Sequence, residues 1–342
     1  MHTYIIAEAG VNHNGSVELA KRLCHAAKEA GADCVKFQTW QTEKIITRHV
    51  AQADYQTANT GVEESQFDML KRLELSYDDF RAVKAYCDEI GIQFASTADE
   101  ADSLDFLLSL GIPFIKIGSG EIGNIPYLRY MGSKGLPVIL STGMSTLADV
   151  ELSLDALRQG GAKDITLLHC TTNYPCPVES VNLRAMNTLR ETFHLPVGYS
   201  DHTVGISVPT AAAALGAAVI EKHFTLDRSM DGPDHLASTE PAEFRAMVDA
   251  VRQIEKAMGD GVKAPTAAEE AISRVVLKRI VAARPIARGT ELTDDDLCVK
   301  RNDTGLPARA WDQVVGTVAT RDYAPDEAID APGGGGECHE AV

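Results

Sequence analysis

The chain has 342 residues, 44% of them apolar and 24% charged, with a formal net charge of −17. That is a globular composition, unlike a disordered chain, and its charge argues against non-specific nucleic-acid binding. No apolar run approaches the ~18 residues that span a bilayer, so the sequence predicts no membrane segment.

Seven cysteines form no C-x-x-C pair, and the start, Met1-His2-Thr3-Tyr4, lacks a basic stretch followed by an apolar one. No signal peptide, free thiols and a cytoplasmic location are therefore expected.

Eight short apolar runs follow one another: 4–7, 34–37, 92–95, 114–117, 138–140, 165–168, 197–199 and 219–224. They are rich in β-branched and aromatic residues and read as strands. Helical spacing separates most of them. Ser16 can cap a helix over 17–30, closed by Gly31; Ser76 and Asp79 form a capping-box pattern for a helix ending near Gly91. Helices are also predicted over 99–110, 146–159, 208–215 and 241–258, each followed by glycine. Strand, helix, glycine, about eight times over, predicts an α/β fold, a (β/α)8 TIM barrel over residues 1–260. A doubly wound sheet is the alternative, but no G-x-G-x-x-G follows the first strand. The long polar segment from about Trp40 to Leu75 reads as a lid rather than a spacer.

After Gly259 the composition shifts. Residues 261–278 read as a linker with a short helix. Residues 279–330, with strand-like 280–283 and 297–301 around a turn at Arg288-Gly289, read as a second, small domain. The glycine-rich tail 331–342 is expected to be disordered.

Strand residues i and i+2 face one side, so Lys36 pairs with Gln38, Ser200 with His202, and Glu221 with His223, while Lys222 points away. Buried parallel strands should be apolar on both faces. Glu8, Lys36, Lys116, Glu121, His202, Glu221 and His223 all break that rule near the C-terminal strand ends, where barrel enzymes build their sites.

His202 and His223, from neighbouring strands, could share one divalent ion with open positions for water or substrate. Mn2+ or Mg2+ is expected, with Co2+ or Zn2+ as alternatives; the competing reading is two structural histidines bonded to loops. Lys36, Lys116, Thr97, Ser119, Ser141 and Thr142 form a cation-and-hydroxyl set that suits a phosphorylated carboxylate such as phosphoenolpyruvate. Glu8, Glu121 and Glu221 are candidate proton-transfer groups.

Seven segments, IIAEAGVNHNG (5–15), VKFQT (35–39), IKIGSGE (115–121), ILSTGM (139–144), LLHCTTNYPCP (167–177), GYSDHT (198–203) and EKHFTLDRSMDGPDH (221–235), resemble the sialic acid (N-acetylneuraminate) synthases and their legionaminic and pseudaminic acid relatives.

 The match spans nearly the whole chain, and its strand-end motifs occur in order. Residues 279–329, with VKRNDTGL (299–306), resemble the family's C-terminal antifreeze-like (SAF) domain.

The resemblance implies condensation of phosphoenolpyruvate with an N-acylated mannosamine-type sugar, foremost N-acetylmannosamine, with a divalent metal on His202 and His223. A legionaminic or pseudaminic acid synthase, taking a 2,4-diacetamido-2,4,6-trideoxyhexose, is the near alternative. By the same resemblance Lys36, Lys116, Thr97, Ser119, Ser141 and Ser200 would hold phosphoenolpyruvate. Glu8, Tyr174, Asp234 and Glu221 would position the sugar or relay its protons, and Glu121 would be the base for an attacking water. Gln38 and Thr172 are further substrate-contact candidates. Arg301 would reach the sugar's N-acyl group from the other subunit of a domain-swapped homodimer. The chain departs from the family's usual pattern at Ala98-Asp99 and at Asn302-Asp303. Outside this family, a barrel aldolase with a Schiff-base lysine and an ice- or carbohydrate-binding protein are the remaining readings.

Overall fold

The computed structural model describes residues 2–51 and 64–331 and contains two compact units, Met1–Asp260 and Gly261–Val342. In the first, β1 (Tyr4–Gly10), β2 (Cys34–Thr39), β3 (Gln93–Ala98), β4 (Ile115–Ile117), β5 (Val138–Ser141), β6 (Ile165–Cys170), β7 (Val197–Asp201) and β8 (Val219–His223) close into a parallel barrel in chain order. Their centres coincide with the predicted runs. All but β4 and β8 reach further toward the C-terminal mouth than predicted, because polar residues there keep the ladder.

The connecting helices begin and end as their local chemistry dictates. Ser16 caps α1 (Val17–Glu29) by accepting from the Leu19 N–H. In the long connection after β2, α2 (Gln66–Leu73) buries Phe67, Met69 and Leu73. Ser76 and Asp79 close a capping box on α3 (Tyr77–Ile90), and Gly91 ends it in the left-handed conformation, φ 72°. Then come α4 (Ala101–Ser109), α5 (Ile125–Gly132), α6 (Leu147–Gly160), α7 (Ala185–Phe193), α8 (Ser207–Ala214) and α9 (Pro241–Ala257). The sequence reading did not name α5 and α7. Both are short, and their apolar stripes are interrupted. The lid expected over 40–75 falls partly on residues 52–63, outside the described residues, as does the tail from 332.

The barrel interior is built in layers. Ile6, Cys34, Ala95, Phe114, Ile139, Leu168 and Val219 form one buried apolar cluster. Two residues further along the same strands stand Glu8, Lys36, Thr97, Lys116, Ser141, Cys170 and Glu221, all lining one cavity. Strand periodicity puts both sets on the inner face, one step apart. On β7 the apolar step is Gly198. A Cβ there would lie 2.2 Å from the Val219 carbonyl oxygen and 2.7 Å from Leu168 Cδ2, so only glycine fits, and Ser200 takes the polar step above it. A third step, of Gln38, Asp99, Gly118, Thr172, His202 and His223, lines the same cavity nearer solvent. The apolar floor thus closes the barrel beneath a polar chamber.

The outer strand faces pack on the helices through a larger core that includes Phe37, Phe80, Phe94, Phe224 and Phe244. One polar pair is buried outside the chamber: Lys222 Nζ lies 2.5 Å from Asp201 Oδ2, and the two residues are register partners on β8 and β7. This accounts for the outward-pointing lysine in the sequence reading.

In the second unit, α10 (Ala267–Val276) has a Thr266–Glu269 capping box and buries none of its residues. It sits within the segment read as a linker with a short helix. Strands β9 (Lys278–Ala282) and β10 (Leu297–Arg301) pair antiparallel. Their small core holds Ile280, Ile286, Leu292, Leu297, Val314, Tyr323 and Ile329, and Gly289 makes its turn at φ +89°.

Candidate active site

The chamber, about 200 Å³, sits at the C-terminal mouth of the barrel. Its two cations are buried: Lys36 is 2% exposed and Lys116 3%. Lys36 Nζ donates to Thr97 Oγ1 at 2.9 Å and lies 2.6 Å from Glu8 Oε2 and 3.8 Å from Glu221 Oε2. Lys116 Nζ donates to Ser141 Oγ at 2.7 Å and lies 3.7 Å from Glu221 Oε1.

The two ammonium groups differ in character. Burial opposes the charge on Lys36, but Glu221 and Glu8 outweigh it and hold its pKa above the ordinary value. Burial pulls the pKa of Lys116 down, against the pull of Glu221. Burial also works against ionised Glu221, yet Lys116 and Lys36 hold its pKa below the usual carboxylate range. Burial pushes Glu8 up to about 7, against the opposing effect of Lys36. Charged and exchangeable groups therefore sit side by side on a floor that excludes water.

Around the lysines the hydroxyls and small residues are arranged tightly. The Gly143 N–H donates to Ser119 Oγ at 2.9 Å, and a Cβ on Gly143 would lie 2.2 Å from Thr172 Oγ1. Thr172 Oγ1 is buried with no hydrogen-bond partner among the described residues, and it faces the chamber. A buried hydroxyl left unpaired in this way marks a position where a bound group can be received. Ser200 Oγ donates to Glu221 Oε1 at 3.2 Å, and Gln38 Nε2 donates to Glu8 Oε1 at 3.1 Å.

On the β7–β8 side the rings of His202 and His223 cross at 65° with centroids 5.4 Å apart. Tyr174 packs on both, at 4.2 Å and 5.4 Å. Burial holds both histidines below their ordinary pKa, His223 well below. Neutral imidazole is the form that binds a metal. His202 Nδ1 lies 2.7 Å from the Thr171 carbonyl oxygen; donation there leaves Nε2 as the lone-pair nitrogen, the arrangement that orients metal-binding histidines. His223 Nδ1 is buried with no hydrogen-bond partner among the described residues, 3.8 Å from Asp234 Oδ2. These donors fit a divalent ion. No group of three or more His, Cys, Asp or Glu side chains gathers as a metal cage among the described residues, so an ion here would complete its shell from water or substrate.

The remaining expected residues are placed as follows. Asp234 is half-buried beside His223, and its withdrawal from water raises its carboxyl to about 6. Glu121 ends a short 3-10 turn after β4 and accepts from Asn124 Nδ2 at 2.6 Å; burial raises its pKa. Neither lines the chamber itself, whereas Glu8, Lys36, Gln38, Thr97, Lys116, Ser119, Ser141, Thr172, Tyr174, Ser200, His202, Glu221 and His223 do. Arg301 ends β10 in the second unit and is exposed. The sequence reading did not single out Cys170, Met144 or Asp99 as chamber residues. Asp99 was recognisable by phase, two residues beyond Thr97; Met144 lies on a loop, where period-2 reasoning has no purchase.

Residues 23–263 match the NeuB family, and residues 279–333 match the SAF domain. The chain belongs to the NeuB family. It is 46% identical to the N,N'-diacetyllegionaminic acid synthase of Legionella pneumophila, over 93% of this chain and 90% of that protein. It is also 46% identical to the synthase of that name from Campylobacter jejuni, over 96% and 98%. The solved N-acetylneuraminic acid (sialic acid) synthetase of Leptospira borgpetersenii serovar Hardjo-bovis, in complex with citrate, is 33% identical. It superimposes with a TM-score of 0.71, over 80% of this chain and 90% of that one. Among the described residues no helix is long and apolar enough to cross a membrane.

Proposed function

We propose that this NeuB-family chain is a carbon–carbon bond-forming transferase. It condenses phosphoenolpyruvate with the open-chain form of an N-acylated mannosamine-type sugar, foremost N-acetylmannosamine, giving a nine-carbon sialic-type acid and phosphate. The observation that carries this reading is the pair of buried lysines, each bonded to a hydroxyl, above an apolar floor in a chain of net charge −17. Glu8 and Glu221 offset part of the buried charge, and the two ammonium groups with their hydroxyl partners form a cradle suited to an anion.

Lys36, Lys116, Thr97, Ser119, Ser141 and Ser200 bind and orient phosphoenolpyruvate. The enol carbon attacks the aldehyde carbon, a carbon–carbon bond forms, and the electron-poor C2 takes up water. We assign the proton from that water to Glu121, on the turn after β4 just beyond the chamber lining, and phosphate departs. Glu8, with its carboxyl near 7, gives the proton that the aldehyde oxygen takes up as the carbon–carbon bond forms, and Glu221, Tyr174 and Asp234 position the sugar. The lysine charges are in place before the reaction, which is electrostatic preorganisation.

His202 and His223 would hold the divalent ion, Mn2+ or Mg2+ with Co2+ or Zn2+ as alternatives. When bound, it supplies Lewis-acid polarisation of the aldehyde oxygen. The protein acts in the cytoplasm as a domain-swapped homodimer, with Arg301 of one chain serving the barrel of the other. The apolar side chains of α10 that remain exposed, Ile272, Val275 and Val276, support a role in assembly.

One observation favours a second acceptor, a 2,4-diacetamido-2,4,6-trideoxyhexose: both relatives at 46% identity are named as legionaminic acid synthases. Phosphate release from phosphoenolpyruvate with Mn2+ and each sugar in turn distinguishes the two, and silence with every sugar refutes the condensation. His202→Ala should lose turnover that added metal partly restores. Full turnover by chelator-treated wild type would remove the metal from the scheme.

A further inference from the structure

Asp99 is the one carboxylate of the chamber lining to which the scheme above gives no task. It lies two residues beyond Thr97, whose register partners are Gln38 and Lys116, so it belongs to the inward-facing set one step nearer solvent. Its backbone N–H donates to the Thr39 carbonyl at 3.2 Å, which carries the β2–β3 ladder past the end of β3 and fixes the direction of its side chain. The side chain lines the chamber with Lys36, Thr97 and Gly118.

No hydrogen bond or ion pair reaches its carboxylate among the described residues. The next residue shows the contrast: Glu100 caps α4, accepting from the backbone N–H groups of Asp102 and Ser103 at 2.6 and 3.0 Å. Glu100 has a structural task and Asp99 has none. Burial, and then the charge of Glu121, push the Asp99 carboxyl up to about 7. Asp99 is half-buried, and an acid partly withdrawn from water with no protein partner among the described residues is placed to be completed by a bound group.

That group is not phosphoenolpyruvate, since a carboxylate repels an anion and the cradle's cations are engaged lower down. We propose that Asp99 is a specificity-determining contact for the acceptor sugar. It accepts a hydrogen bond from an O–H or amide N–H of a neutral acceptor and disfavours acceptors that carry a phosphate or carboxylate on the same side. The inference rests on the condensation reading and adds a rule for which sugars enter.

The test is steady-state kinetics of wild type, Asp99→Ala and Asp99→Asn, with phosphoenolpyruvate and acceptor varied separately. Asp99→Ala should lower kcat/KM for the neutral acceptor about 10- to 100-fold, the range for losing a hydrogen bond to a charged group. KM for phosphoenolpyruvate should stay within about twofold, since those contacts lie on other residues. Asp99→Asn, which keeps an accepting oxygen without the charge, should fall between, and should narrow the preference for N-acetylmannosamine over its 6-phosphate. Because no group among the described residues bonds to the carboxylate, both variants should fold, which a thermal melt checks. If wild type turns over and Asp99→Ala matches it within twofold on the acceptor, or if the loss appears in KM for phosphoenolpyruvate instead, the assignment is overturned while the condensation stands. If wild type releases no phosphate with any acceptor, the condensation falls and takes this inference with it.

Discussion

His13 is fully buried, and its Nδ1 accepts from the Gly15 N–H at 3.1 Å. Burial, with His235 nearby, lowers its pKa to about 4. An unfolded histidine titrates near ~6.5, so between pH 6.5 and 4 the unfolded chain binds the extra proton. Stability attributable to His13 is therefore complete above about 6.5 and is lost as pH falls toward 4, by about 3 kcal/mol at most. His13→Asn, which keeps an acceptor and removes the titration, should flatten the fall of urea-unfolding free energy over that window. A slope equal to wild type would assign the acid sensitivity elsewhere. The NHN stretch (12–14) stood in the sequence only as part of the segment 5–15, and its long-range contacts were not legible there: Asn12 Nδ2 donates to the Phe224 carbonyl and Asn14 Nδ2 to the Asp231 carbonyl, partners more than 200 residues away.

Among the elements, β7 and β8 carry opposite tasks on their two faces. Ser200, His202, Glu221 and His223 face the chamber, while Asp201 and Lys222 form a buried ion pair behind them. Asp201 Oδ1 also receives the backbone N–H and hydroxyl of Thr203, and Lys222 Nζ donates to the Thr203 carbonyl at 2.8 Å. Removing one partner leaves a buried charge uncompensated, at a cost of about 3–5 kcal/mol. Asp201→Leu and Lys222→Met should each destabilise by that order. Combined, they should recover part of the loss, short of wild type because Thr203 loses its acceptor. Strictly additive costs in a double-mutant cycle of urea unfolding would show that the pair does not act as a unit. Alternation along the strand made the outward direction of Lys222 readable, whereas its partner lies on another strand and needed the β7–β8 register. Helix α5 shows the opposite limit. It packs on α6 so closely that a Cβ on Gly132 would lie 2.3 Å from the Leu157 carbonyl oxygen, a demand made by a neighbour and absent from its own residue pattern.

For the whole molecule, the proposed exchange of small domains makes each site a product of two chains. Lys116→Met and Arg301→Ala should each be nearly inactive when pure. Co-expressed, they should form mixed dimers in which one site is intact, giving up to about a quarter of wild-type sites. No recovery in phosphate release would confine Arg301 to its own barrel or remove it from the reaction.

The strand order, the barrel closure and the membership of the polar layer were within reach of the sequence, because strand periodicity and glycine stops are local and repeat eight times. Tertiary structure alone decided which polar residues meet. The ion pair of Lys36 with Glu8, the hydroxyl partners of both lysines and the carboxylate of Asp99 without one all depend on the register between strands, which brings together residues tens of positions apart. So does the apolar layer two residues beneath them, whose seal against water sets the charges above it.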